Sequence, residues 1–171
     1  MVSLFMTPAI NLAKQLKLDY KIHEYTHDSS ATSYGLEAAE KLGVAAEQVF
    51  KTLVVETDTG VLAVAILPVD NSLNFKKMAK ALSLAATSTK MQSCKKVKMA
   101  DPKVVERSTG YVLGGVSPLG QKKPLTTIID SSAQQYATIY VSGGRRGLEI
   151  ELPAKQLSET LKAHFAEISN D

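Results

Sequence analysis

The sequence predicts a mixed α/β protein of one domain, with a curved sheet or barrel and helices beside it. Its 171 residues are 44% hydrophobic and 22% charged, which is typical of a globular chain long enough for one substantial core. About six or seven strand-like segments cluster in the middle and C-terminal parts, with helical patterns between and around them. Because no repeat and no low-complexity linker divides the chain, we expect residues 1–171 to form a single domain.

Composition also excludes several classes of protein. The longest apolar run, residues 61–67, is far shorter than the ~20 residues of a membrane helix, and residues 1–6 lack the features of a secretory signal. One cysteine, Cys94, excludes an internal disulfide, and the three histidines have no zinc-ligand spacing. We therefore expect a cytoplasmic protein that binds neither a membrane nor a metal.

The N-terminal elements follow from local signals. Thr7 and Pro8 predict a cap and a first helical position. Apolar residues then recur at helical spacing, namely Ala9, Leu12, Ala13 and Leu16. Residues 20–25 alternate well enough for a strand, and the helix formers at 35–42 end at Gly43, a residue typical of helix C-termini.

The next strand, residues 49–56, carries a lysine on an apolar face. Period-two alternation places Lys51 on the face of Val49, Leu53 and Val55. One interpretation is a lysine at a sheet edge, whose stem covers apolar surface while its ammonium reaches water. The other, of about equal weight, is a lysine that points into a pocket. Thr52 shares the opposite face with apolar residues, so the strand is expected to be interior, which favours the pocket.

The middle of the chain continues the sheet and adds two helices. Residues 61–67 predict a hairpin partner for the preceding strand, and Asn74 is expected to cap a helix at 75–82 with a basic outer face. Residues 84–98 predict an extended connection with at most one short strand. A helix should start at Asp101 and Pro102 and end before Gly110.

The C-terminal third predicts three strands and a closing helix. Residues 125–129 and 137–142 have strand character, and residues 148–152 resume it after a glycine-rich bend that contains Arg145 and Arg146. We expect one long helix over 154–168. Its apolar stripe is Leu157, Leu161, Phe165 and Ile168, with His164 packed beside it.

A second glycine-rich stretch, residues 108–120, is the feature that general folding needs do not explain. Gly114 and Gly115 follow an apolar run and precede a Ser117-Pro118 turn. Bare backbone in such a bend can present N–H groups to an anion or carbonyl. For a glycine pair alone, however, an ordinary bend without a ligand is favoured.

Basic residues are concentrated in the middle third, although the net charge is only +3. Between residues 72 and 107, only Asp101 and Glu106 oppose them. The basic residues there are Lys76, Lys77, Lys80, Lys90, Lys95, Lys96, Lys98, Lys103 and Arg107. A solvated basic face is the ordinary explanation, and the footprint of a phosphate-bearing partner is the functional one.

The standard catalytic motifs are absent from the sequence, including the nucleophile elbow, the P-loop and the H-E-x-x-H zinc motif. Cys94 lies in a lysine-rich stretch but has no recognisable histidine partner. What remains is an interior lysine, two glycine-rich bends, Ser142 beside one of them, and a basic surface. These groups suit binding of a carbonyl and a phosphate chain.

Several long segments resemble the YbaK/EbsC family of aminoacyl-tRNA deacylases, in the order MTPAINLAK, VFKTLV, MADPKVVERSTGYVLGGVSPLGQKK, TIID and ATIYVSGGRRGLEIEL. The resemblance implies a YbaK-type mixed β-barrel with flanking helices, similar to the editing domain of bacterial prolyl-tRNA synthetases. It implies no cofactor. It also implies hydrolysis of Cys-tRNA(Pro) in trans, alongside prolyl-tRNA synthetase.

The resemblance further implies site residues. The key lysine of the family falls on Lys51, with Thr52 beside it, and the pocket positions fall on Tyr25, Tyr34, Gly114, Ser142 and Glu149. Tyr34 stands where phenylalanine is usual, and Glu149 where aspartate is usual. The family mechanism uses the cysteine thiol of the substrate as nucleophile and forms a thiolactone. Lys51 would then hold the tRNA 3′ end, and the amides of Gly114 and Gly115 would face the carbonyl.

Two alternatives remain open at the level of sequence. One is a deacylase of the same fold that acts on another misacylated tRNA, such as Ala-tRNA(Pro) or Ser-tRNA. The other is a catalytically silent module that binds tRNA or a synthetase. Pocket size decides the first alternative, and the presence of Lys51 argues against the second.

Overall fold

The computed structural model describes residues 6–31, 33–86 and 93–171. Within them, the helices are α1 (Pro8–Gln15), α2 (Tyr34–Leu42), α3 (Phe75–Ala85), α4 (Pro102–Thr109) and α5 (Ala154–Leu161). The strands are β1 (Lys21–Glu24), β2 (Phe50–Thr57), β3 (Leu62–Pro68), β4 (Val97–Met99), β5 (Thr126–Asp130), β6 (Ile139–Ser142), β7 (Leu148–Leu152) and β8 (His164–Ala166). The predicted mixed α/β class is confirmed.

The strands form two sheets that meet at one point. The larger sheet has the order β4-β2-β3-β5-β8, and the smaller has the order β1-β7-β6. β2 and β3 form the predicted antiparallel hairpin, whereas β5 and β8 add to the larger sheet in parallel. A parallel bridge between Val49 and Tyr140 joins the start of β2 to β6 of the smaller sheet.

The larger sheet buries both of its faces. Phe50, Val54 and Ile66 belong to a core cluster that also contains α1, α5 and apolar residues of the smaller sheet. The opposite face packs against α3, and that second cluster includes Val55 and Met78. β2 and β3 are therefore covered on both sides, which explains their nearly continuous apolar sequences.

Local capping signals correctly predict where several helices begin and end. The side chains of Thr7, Asn74 and Asp101 each accept a hydrogen bond from a backbone N–H of the helix that follows. Gly43 and Gly110 adopt left-handed conformations directly after α2 and α4, as the glycine pattern indicates.

The predicted helix over residues 154–168 is wrong in its second half. α5 ends at Leu161, Lys162 adopts a positive φ of 53°, and β8 then pairs with β5. Backbone N–H groups of Ile168 and Ser169 donate to one carboxylate oxygen of Asp130, at 2.9 and 3.2 Å. Pairing with β5 satisfies backbone groups that a longer helix would bond internally, and it gives His164 a place on an edge strand.

The connection between α3 and α4 also differs in detail from the prediction. α3 continues to Ala85, and the single short strand is β4. Residues 87–92 of this predicted extended segment, with Lys90, lie outside the described residues. Among the helices that the structure describes, none is long and apolar enough to cross a membrane.

Candidate active site

A cavity of about 320 Å³ lies beside the first half of β2, along the edge that does not pair with β3. β3 occupies the other edge of β2 for its whole length, so β4 and β6 share the remaining one. β6 touches it at Val49, and the N–H of Ala100 bonds to the carbonyl of Val54 at 3.0 Å. Between these attachments, the described residues place no strand against residues 50–53, and these four residues line the cavity.

The structure brings together seven of the eight predicted site residues. The cavity lining includes Tyr25, Tyr34, Lys51, Thr52, Gly114, Ser142 and Glu149. They come from the residue after β1, α2, β2, the loop after α4, and the β6–β7 hairpin. Gly115 is outside the lining, and its N–H donates to the carbonyl of Val112 at 3.0 Å. In this structure the Gly115 amide therefore closes a turn, and the predicted role of a backbone N–H at the carbonyl stays a prediction for Gly114, which lines the cavity.

Lys51 is a pocket lysine and not a lysine that extends into solvent. Its ammonium donates to the backbone carbonyl of Asn71 at 2.6 Å, and the side chain is half-buried. Burial lowers the pKa of Lys51, and the charge of Asp70 partly opposes that change. An ammonium with one protein acceptor retains further donors for a ligand.

Glu149 and Thr52 place buried polar atoms in the cavity wall. Glu149 is only 7% exposed, and the described residues supply no hydrogen-bond partner to its Oε2 atom or to Oγ1 of Thr52. Burial raises the pKa of Glu149 to about 8. Buried polar groups without partners are costly, so such groups in a cavity are typical of a binding site.

Tyr25 lies near Glu149 and shares its environment. Burial, with a further contribution from the Glu149 charge, raises the pKa of Tyr25 to about 12. Its phenol is therefore neutral at physiological pH and able to donate a hydrogen bond. The N–H of Tyr25 donates to the carbonyl of Gly147 at 3.0 Å, which ties β1 to the β6–β7 hairpin.

Ser142 has a structural role in the same hairpin. It pairs with Glu149 across β6 and β7, and its Oγ accepts a hydrogen bond from the N–H of Gly144 at 3.1 Å. The hydroxyl therefore holds the glycine-rich bend at the edge of the cavity. Its proton is still available for a ligand, because Oγ acts as the acceptor in that bond.

Arg145 and Arg146 line the cavity, although the sequence did not single them out as site residues. The Arg146 guanidinium carbon lies 3.8 Å from the centre of the Tyr34 ring. Gly114, with a φ of +89°, makes room for this contact, because a Cβ there would lie 2.6 Å from Nε of Arg146. The paired arginines beside a glycine-rich bend were visible in the sequence, but their distance of more than 100 residues from Tyr34 concealed the contact.

Cys94 is outside this cavity. It is buried in the second core cluster, where its thiol approaches the carbonyl of Ala79 at 3.7 Å, and burial raises its pKa. Both observations oppose a role as a thiolate nucleophile. Within the described ranges, no group of three His, Cys, Asp or Glu side chains could hold a metal ion.

The basic face of α3 is only partly available to a partner. Lys76 and Lys80 are exposed. Lys77 instead forms ion pairs with Glu167 and Asp171 near the C-terminus, at 2.7 and 2.9 Å. The three lysines are therefore not equivalent as candidate contacts for a phosphate backbone.

Comparison with known proteins identifies the family of this chain. Residues 28–160 match the model of the aminoacyl-tRNA editing domain family. The chain is 37% identical to EbsC of Enterococcus faecalis, named as a candidate Cys-tRNA(Pro)/Cys-tRNA(Cys) deacylase, over 95% of this chain and 93% of that protein.

Two solved structures share the fold along nearly the whole chain. A candidate trans-editing enzyme for prolyl tRNA synthetase aligns over 100% of both chains with a TM-score of 0.79 and 20% identity. The protein APE2540 aligns over 96% of this chain and 100% of its own, with a TM-score of 0.77 and 25% identity. With a family model that matches most of its length and a relative that shares more than a third of its residues, the chain belongs to the family of aminoacyl-tRNA editing domains.

Proposed function

We propose that this protein hydrolyses the ester of Cys-tRNA(Pro) in trans, clearing the product made when prolyl-tRNA synthetase accepts cysteine. The observation that carries the proposal is the cavity with Lys51, Thr52 and Glu149: the described residues leave Oγ1 of Thr52 and Oε2 of Glu149 without a hydrogen-bond partner, and Asn71 holds the ammonium of Lys51 in place. Family membership supports the reaction class. The name of the relative EbsC supports the choice of aminoacyl group.

The lining suits a reaction in which the substrate supplies the nucleophile. Among the described residues, the lining includes no cysteine or histidine, and the hydrogen bond found for the Ser142 hydroxyl is to the backbone N–H of Gly144, not to a basic side chain. In the proposed step, the thiol sulfur of the cysteinyl group attacks its own carbonyl carbon. The ester C–O bond breaks, the thiol proton passes to the released ribose oxygen, and a thiolactone and free tRNA result. Water then opens the thiolactone to cysteine.

The chain would contribute position and electrostatics to this step. Lys51 would bind the 3′-terminal ribose or phosphate, because its ammonium is oriented by Asn71 and keeps free donors. The amide of Gly114 would face the carbonyl, where negative charge develops. Glu149 would bind the α-ammonium group of the substrate, because an incoming positive charge favours the ionised form of a carboxyl whose pKa is raised by burial and whose Oε2 has no hydrogen-bond partner among the described residues.

The test is deacylation of purified aminoacyl-tRNAs by the purified protein. We expect hydrolysis of Cys-tRNA(Pro), slower hydrolysis of Ser-tRNA(Pro), whose hydroxyl is a weaker nucleophile, and none of Ala-tRNA(Pro) or Pro-tRNA(Pro), whose side chains carry no nucleophile. Discrimination by one small group in an apolar pocket is worth only about 1–3 kcal/mol, or about 5- to 150-fold, so a larger preference for the cysteinyl over the alanyl ester would reflect the substrate thiol and not the fit of the pocket. Faster hydrolysis of the alanyl or seryl substrate would identify a deacylase of different specificity.

S-methylcysteinyl-tRNA(Pro) tests the source of the nucleophile. Methylation blocks the thiol and enlarges the side chain by only one carbon, so the proposed step predicts no turnover of this substrate. Turnover at the rate of the cysteinyl ester would assign the attack to water. Inactivity on every substrate, with tRNA binding retained, would favour a non-catalytic binding module.

The choice of tRNA requires a second measurement. No feature of the cavity reads the anticodon or the body of a tRNA, so we propose that selection of tRNA(Pro) depends on prolyl-tRNA synthetase as a partner in the cytoplasm. Adding the synthetase should raise the rate on Cys-tRNA(Pro) relative to Cys-tRNA(Cys). An unchanged ratio of the two rates would remove the synthetase from the proposal.

A further inference from the structure

Arg146 differs from its neighbour Arg145 in what it contacts. Arg145 bonds to the carboxylate of Glu24 at 2.7 Å, which fixes it to β1. Arg146 is exposed, and its polar contact in the structure is a long one of 3.5 Å to the carbonyl of Leu113. Its main contact is the Tyr34 ring, at 3.8 Å from the ring centre. Arg146 is thus held by an aromatic surface and not by a carboxylate.

The surroundings of this contact are unusually apolar for an exposed rim. Leu113, which lines the cavity, is 51% exposed, and its neighbour Val112 is 60% exposed. Exposed apolar side chains that border a cavity are typical of a ligand contact. A guanidinium, an aromatic ring and apolar side chains together suit a flat and partly polar ligand better than they suit a small ion.

We propose that Arg146 is the platform on which the 3′-terminal base of the tRNA stacks when the ester enters the cavity. This inference rests on the proposed function, because it assumes an RNA 3′ end at the cavity mouth. The Tyr34 ring covers one side of the guanidinium, and because Arg146 is exposed, the proposal places the base on the side away from the ring. Proteins bind single-stranded RNA in this way, with bases stacked on aromatic rings and on guanidinium planes.

The charge of Arg146 alone would lead to a different expectation. If Arg146 contributed only a positive charge that attracts phosphates, it would raise the affinity equally for an RNA with and without its terminal base. If Arg146 is a stacking platform, it should raise the affinity only for the RNA that has the base. Lysine at this position would keep the charge and lose the plane, so it separates the two roles.

A thermodynamic cycle tests the proposal. Affinities are measured by fluorescence anisotropy for two RNA fragments that mimic the acceptor 3′ end, one ending in CCA and one with an abasic residue in place of the final adenosine. The proteins are the parent, Arg146→Ala, Arg146→Lys and the control Lys155→Ala. The control removes one positive charge from an exposed position on α5, outside the cavity lining.

We expect the parent and Lys155→Ala to bind the CCA fragment about 5- to 150-fold more tightly than the abasic fragment, the range for stacking of one base. Arg146→Ala and Arg146→Lys should bind both fragments almost equally. If Arg146→Lys discriminates as the parent does, Arg146 contributes charge only and the proposal is wrong. Full discrimination by Arg146→Ala would overturn it as well.

The cycle also separates this inference from the proposed function. If the parent discriminates and both Arg146 variants do too, only the role of Arg146 fails. If the parent binds neither fragment and hydrolyses no aminoacyl-tRNA, the proposed function fails and the inference fails with it. Circular dichroism of each variant shows whether the fold is intact.

Discussion

Replacing Glu149 with glutamine should stabilise the protein, and the gain should grow with pH. Burial raises the pKa of Glu149 from 4.5 to about 8 in the folded chain, whereas the unfolded chain keeps the ordinary value. Between these two values the folded state holds a proton that the unfolded state has released. The stabilising effect of that proton is complete below pH 4.5 and is lost as the pH rises through 8.

The size of the effect follows from the linkage relation. Each pH unit within this window changes the free energy of unfolding by about 1.4 kcal/mol for one proton. From pH 5.5 to pH 7.5, the parent should lose roughly 2.7 kcal/mol from this one group, while Glu149→Gln has no proton to lose. Above pH 8 the difference should level off, because Glu149 is then ionised in both states.

Urea unfolding at pH 5.5, 6.5 and 7.5 measures the difference between parent and variant. Asp58→Asn is a matched control, since it also exchanges a carboxylate for an amide. Backbone N–H groups of Lys95 and Lys96 lower the pKa of Asp58, so its effect should be constant over this range. A constant difference for Glu149→Gln as well would show that Glu149 titrates at an ordinary pKa, and the reasoning about its burial would be refuted.

Three further predictions concern the proposed reaction and its substrate. Lys51→Ala should lose most single-turnover hydrolysis of Cys-tRNA(Pro) while keeping its circular dichroism spectrum, because a charged donor is worth about 1.5–3 kcal/mol; Lys51→Arg should also be impaired, and parental rates for both would reject the site. Cys94→Ser should retain the parental rate, and an acyl-enzyme adduct on Cys94 would contradict this. Reversing the charge of Lys76 and Lys80, while leaving Lys77 to its ion pairs, should weaken tRNA binding and flatten its salt dependence; unchanged affinity would place the RNA on another surface.

Elements that depend on local chemistry were predictable from the sequence. Thr7, Asn74 and Asp101 cap helices through contacts within a few residues, and the β2–β3 hairpin needs only a short turn. The lysine on an apolar face of β2, together with the apolar neighbours of Thr52 on the opposite face, favoured a pocket for Lys51, which lines the cavity in the structure. In each case the decisive interaction lies close to the signal in the chain.

Features that depend on distant partners were not predictable in this way. Residues 164–166 fit a helical stripe because Phe165 follows Leu161 by four positions. In the structure they instead form a strand that pairs with β5, more than 30 residues earlier in the chain. The stack of Arg146 on Tyr34 joins two segments that have no common pattern. The turn that uses the Gly115 amide depends on loop geometry that a glycine pair does not specify.

The pairing of β1 with β7 has a consequence for synthesis of the chain. Residues 21–24 bond to residues 148–151, so β1 has no partner strand on this side until more than 120 further residues have been synthesised. At about 5–20 residues per second, that interval is roughly 6–25 s. Tyr25 and Glu149 therefore reach the same cavity only after β7 has been made, and a chain truncated before residue 148 would have an unpaired β1 and an incomplete site.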